Sequence, residues 1–178
     1  KYNLKNVWKL NPEFIEGSYE LPEKSALINK GTDKLNLGLI LKTQQYCKNL
    51  IASSRCHKLP FHNWQHTEEV AKNAKFLGEE EHLTTEEIQN LVIASYFHDT
   101  GFVCETFGHE EKSCDYARIF LSEQLFPVDR ITSITNLIKA TKMPQSPKNI
   151  SQQIMCDADL AHLGKKKFVL KNLNLRKE

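Results

Sequence analysis

The chain has 178 residues, enough for one domain with a substantial core and too few to suggest a second. Its residues are 40% hydrophobic and 26% charged, which excludes a disordered or fibrous class, and a net charge of +2 gives no reason to propose a duplex nucleic-acid partner. No apolar stretch approaches the roughly 20 residues that cross a bilayer, and residues 1–20 lack the apolar centre of a signal peptide.

The five cysteines, Cys47, Cys56, Cys104, Cys114 and Cys156, are odd in number and form no CxxC pair, as expected for reduced thiols in a cytoplasmic protein. Lys165-Lys166-Lys167 reads as a solvated helix end. The chain begins without methionine, which suggests a fragment.

Residues 1–33 read as an irregular N-terminal arm, punctuated by Pro12, Gly17, Pro22 and Gly31, with a candidate strand near Tyr2 to Trp8. From residue 34 the period becomes helical and no core strand is expected, so the fold class is all-α. Leu35, Leu39, Tyr46 and Leu50 mark the stripe of a first helix that ends near Ser53. A second runs from about Asn63 to Leu77, with Gly78 as its stop.

The third opens on a capping box, Thr84 with Glu87, buries Ile88, Leu91, Val92 and Ser95, and ends toward Gly101. A fourth covers roughly His109 to Leu125. Pro127 suits the first position of a fifth, which carries Ile131, Ile134, Leu137 and Ile138. After Pro144 and Pro147 a sixth runs from Asn149 to Leu163, closed by Gly164.

Three segments place chemistry among apolar residues. In Phe61-His62-Asn63-Trp64-Gln65-His66, a helical backbone would project His62 and His66 from one face, a turn apart. His98-Asp99 finishes an apolar helix with two ligands suited to a divalent ion, and buried charges need partners. In Asp157-Ala158-Asp159 the two carboxylates point about 200° apart on a helix, so one ion takes one of them, and amphipathicity does not decide which. Taken singly, each cluster also fits a hydrogen-bonded histidine, a polar helix end or a solvated turn; together they favour one site.

The order His, His-Asp, distant Asp resembles the HD-domain metal-dependent phosphohydrolases, over about Leu37 to Gly164. The segment around His66 also resembles the His-Asn-x-x-His signature of cyclic-nucleotide phosphodiesterases. That resemblance implies one helical phosphohydrolase domain over residues 34–178. It implies His66, His98, Asp99 and Asp159 as metal ligands, His62 as general acid, and Asp157 as an orienting group outside the ligand set. His109 corresponds by that resemblance to a histidine that approaches a second metal or the phosphate, and its segment reads equally as a helix start with Glu110 and Glu111 at the positive end of the dipole. Thr141-Lys142 replaces a further histidine of two-metal members, so a single divalent ion (Mn, Fe, Co, Ni, Zn or Mg) is expected, with Lys142 available as a phosphate contact. The implied substrate is a small phosphate ester, a nucleotide or cyclic nucleotide; the competing reading is a nucleotide-sensing module without turnover. The sequence carries no signal for oligomeric state.

Overall fold

The computed structural model describes residues 35–104, 107–166 and 168–178, so the expected arm over 1–33 and its candidate strand lie outside the described residues. Those residues form seven α-helices and no strand: α1 (Leu37–Ala52), α2 (Trp64–Glu80), α3 (Thr85–Phe97), α4 (His109–Glu123), α5 (Val128–Ala140), α6 (Ile150–Asp159) and α7 (Phe168–Leu175). Short 3-10 turns cover Arg55–Lys58, Thr100–Val103 and Leu160–Gly164. No helix among the described residues is long and apolar enough to cross a membrane.

The architecture is organised around α3. Its capping box forms as expected, with Thr84 Oγ1 accepting from the Glu87 backbone N–H and the Glu87 carboxylate accepting from the Thr84 N–H. From Ile88 to Phe97 every residue is buried, not the single stripe the sequence suggests. A helix buried all round belongs to the centre of a bundle, and α1, α2, α4, α5 and α6 all pack against it. Leu91, Ile93 and Phe97 are fully enclosed there, and full burial of such a side chain contributes about 1.5–3 kcal/mol.

Two glycines do work other than the expected one. Gly78 does not stop α2, which runs on to Glu80. The stop is a Schellman motif, with His82 at φ 55, its N–H donating to Glu79 O and the Leu83 N–H donating to Gly78 O. Gly78 instead lets α3 close in, since a Cβ there would lie 3.2 Å from Ile88 Cγ1 and 3.4 Å from Leu91 Cδ1. The same motif ends α4, with Leu125 at φ 53 where glycine is usual.

Gly101 lies not at the end of α3, which closes at Phe97, but in the following 3-10 turn. A Cβ on Gly101 would sit 1.9 Å from the backbone oxygen of His109, so the turn after α3 and the start of α4 touch backbone to backbone.

The remaining departures are local. Pro127 precedes α5 as its N-cap residue, and α6 tightens into the 3-10 turn after Asp159. Helix α7 has no counterpart in the sequence reading. Lys165 is not solvated, because its ammonium lies 3.2 Å from Glu69 Oε2 with its side chain largely buried; Lys166 is exposed, and Lys167 lies outside the described residues.

Replacing Gly101 with alanine should therefore destabilise the chain by at least about 1–3 kcal/mol, the usual cost of overpacking. Urea denaturation checks this, and an unchanged midpoint would show that the α3–α4 junction is not a close backbone contact.

Candidate metal centre

His66 enters from the first turn of α2, where Asn63 caps the helix by accepting from the N–H groups of Gln65 and His66 at 3.0 and 3.3 Å. His98 is the residue at which α3 closes, its ring wholly buried. Its Nδ1–H donates to Ser95 O at 2.8 Å, which fixes the tautomer and turns the Nε2 lone pair away from the helix. Asp99 follows on the chain, and Asp159 comes from the last residue of α6.

These side chains meet. His66 Nε2 lies 3.4 Å from Asp99 Oδ2 and 3.2 Å from Asp159 Oδ1, and His98 Nε2 lies 3.1 and 3.6 Å from the same two oxygens. Ligand atoms of His66, His98 and Asp159 all fall within 4.8 Å of one another, close enough to share one cation. Despite this proximity, none of the contacts of His66 Nε2, His98 Nε2 and Asp99 Oδ2 has hydrogen-bond geometry, and these three buried atoms have no hydrogen-bond partner. Orphaned buried polar atoms carry a desolvation cost of about 1–3 kcal/mol each, and more for charged groups. The donor set fits a divalent cation, which would satisfy all three at once.

The electrostatics are those of a tight cluster. Burial alone pulls the His98 pKa down, but Asp99 and Asp159 outweigh it and hold the imidazole well above its ordinary value. Burial likewise pushes Asp99 and Asp159 up, and the adjacent imidazoles reverse the effect and hold both carboxyls well below the ordinary range. A metal takes the neutral imidazole, so cation binding at His98 competes with protonation of its ring.

The other residues singled out from the sequence fall around this core. His62 does not share a helical face with His66, because α2 begins only at Trp64, yet the bend ahead of the helix brings the two rings to 6.0 Å between centroids. His109 Nε2 lies 3.5 Å from Asp99 Oδ1. Asp157 is absent from these contacts; it is half-buried, and burial pushes its carboxyl up to about 6. Lys142 is exposed after α5, and none of its contacts joins it to the cluster.

Several participants carried no signal in the sequence. Phe102 stacks between His62 and His109, its ring centroid 4.1 and 3.9 Å from theirs. Phe61 packs on His66 at 4.6 Å and edge-on to His162 at 4.9 Å, and His162 Nδ1–H donates to Asp159 O. Ser113 Oγ donates to His98 O at 2.7 Å and accepts from Gly101 N–H at 2.9 Å, clasping the His-Asp turn from α4. Glu110, next to His109, is buried. Each of these is an ordinary core or cap residue by type, and only its neighbours make it notable.

This all-helical bundle, with its His, His-Asp and Asp cluster at the end of the central helix, has a counterpart in fold among solved structures. A solved structure described as a predicted HD superfamily hydrolase from an uncultured Thermotogales bacterium superposes on the chain with a TM-score of 0.55 at 23% sequence identity. The match covers 70% of this chain and 66% of that one, so slightly less than two thirds of that protein is represented. No protein-family model and no curated protein matches the chain.

Because the Asp157 pKa is raised on folding, its ionisation opposes the folded state from near its ordinary pKa upward, with the full effect above about 6. Asp157→Asn should therefore stabilise the chain at pH 8 and do nothing near pH 3. Discounted to about 1 kcal/mol for solvent screening, the effect raises Tm by roughly 2–4 °C. Equal shifts at both pH values in thermal unfolding would contradict it.

Proposed function

We infer that residues 34–178 form an HD-type phosphohydrolase unit that cleaves a small phosphate ester, of the nucleotide or cyclic-nucleotide class. One divalent cation is held by His66, His98, Asp99 and Asp159. The observation that carries this reading is the trio of buried atoms, His66 Nε2, His98 Nε2 and Asp99 Oδ2, facing one another without hydrogen bonds. Mixed imidazole and carboxylate ligands suit Mn, Fe, Co, Ni or Zn, with Mg as the hard alternative. The likeness to the Thermotogales protein supports the fold on which the reading rests.

Held by His66, His98, Asp99 and Asp159, a divalent cation would supply a Lewis acid for the phosphoryl oxygen and would lower the pKa of a water toward about 7. The chain's own residues do the rest. His62, whose ring lies beside that of His66, is placed to give a proton to the departing oxygen. Phe102, stacked on His62 and His109, fixes the planes of both rings beside the cluster. Ser95 and Ser113 keep the His98 ring and backbone in place. Phe61 packs against the ring of His66. No step is assigned to Lys142 or to Asp157.

Two variants separate the roles. His62→Ala should retain bound metal and lower turnover by ~10²–10⁴, the usual contribution of general-acid help. Asp99→Asn should lose both metal and activity. Metal content by elemental analysis, with hydrolysis of cyclic nucleotides, nucleoside monophosphates and dinucleotides in Mn²⁺, Mg²⁺, Co²⁺ or Fe²⁺, reads both. Full metal occupancy in Asp99→Asn would overturn the ligand set. Stabilisation by a nucleotide without hydrolysis in any of these ions would instead identify a sensing module.

A further inference from the structure

The segment from Lys165 to Glu178 folds back over the start of α2. Lys165 Nζ lies 3.2 Å from Glu69 Oε2, Lys171 Nζ pairs with the same oxygen, and Asn174 Nδ2 donates to Pro60 O at 3.4 Å. These three contacts latch α7 and its flanks to residues 60–69 and bring Glu178 to the segment ahead of α2. There Glu178 Oε1 accepts from the backbone N–H of Phe61 at 2.6 Å and of His62 at 3.1 Å, while Oε2 meets His62 Nδ1. Only 9% of the Glu178 side chain stays exposed.

This is not the generic anion affinity of a helix end. The first free amides of α2 are already taken by Asn63. The seat is built instead from two successive amides and an imidazole that converge on one carboxylate, a concave donor arrangement that suits oxyanions in general. A phosphoryl group offers such donors the same kind of acceptor oxygen as a carboxylate does. The seat also adjoins the cluster, since the His62 ring forms one wall and lies beside that of His66.

We propose that the Phe61 N–H, the His62 N–H and the His62 imidazole form a binding seat for an anionic phosphoryl oxygen of the substrate, and that Glu178 fills it in cis as a displaceable plug. The choice of a phosphoryl oxygen rests on the phosphohydrolase reading; the seat and its plug need no metal. A tethered group competes at an effective concentration on the order of millimolar. A free anion below that level is excluded until the latch opens, so Glu178 sets the threshold at which substrate engages the site.

The test uses the full chain with inorganic phosphate as probe, following the amide proton and nitrogen shifts of Phe61 and His62. Glu178→Ala should bind phosphate about tenfold more tightly than the unaltered chain, a change consistent with loss of one charge-assisted competitor. Glu178→Gln, which keeps an acceptor but loses the charge, should move the same way by less, and so should Lys171→Ala, which loosens the latch away from the seat. Equal phosphate affinity in all four proteins, or shifts centred elsewhere, would overturn the seat. Weaker binding in Glu178→Ala would make Glu178 a support for His62 rather than a plug, and tighter binding of acetate than of phosphate would assign the seat to carboxylates; either overturns the proposal. Metal content of the same samples keeps the two readings apart: phosphate at the seat of a chain that holds no metal would sink the hydrolase and leave the seat standing.

Discussion

Burial along α3 does not fade toward its end, as it does in a helix that finishes in solvent. The ring of His98, one residue past the helix, is as enclosed as Leu91 and Phe97 inside it. Polar groups taken so far from water need partners, and here the neighbours supplied by α2 and α6 are further polar groups that approach without hydrogen-bonding. The bundle holds together around a small region that its own side chains do not satisfy. Everything nearby serves to keep that region fixed: the Ser95 carbonyl orients the His98 ring, Ser113 clasps the turn, and the absent side chain of Gly101 lets α4 close over it.

Most of the helical framework was legible because it rests on local rules. The Thr84–Glu87 box and the Asn149 start declare themselves in sequence, and the all-α class follows from the period of the apolar residues. The failures are where tertiary contacts override a local rule. Gly78 reads as a stop but serves close helix packing, and the left-handed residues that do end α2 and α4 are His82 and Leu125, neither of them the glycine usual there. Helix α7 escaped notice because none of its residues is buried and its anchor, Glu69, lies about 100 residues away in the chain.

At the site, residue type and order pointed to the three segments that the fold brings together, although the geometric premise for His62 was wrong. It reaches His66 through a bend rather than along a helix. Spacing could not choose between Asp157 and Asp159; position at the end of α6, with contacts to both His66 and His98, distinguishes Asp159. The aromatic wall of Phe61 and Phe102 and the carboxylate of Glu178 were out of reach, because an aromatic or acidic residue carries no mark of what it will touch.

The proposed ligand set is His66, His98, Asp99 and Asp159 around one cation. Anomalous diffraction from crystals of the purified chain tests it most directly. A single strong peak is expected about 2.0–2.2 Å from His66 Nε2, His98 Nε2 and an oxygen of each carboxylate, the distances usual for such ligands. A peak elsewhere, or none while His66 Nε2 and His98 Nε2 are found hydrogen-bonded to protein groups, would contradict it.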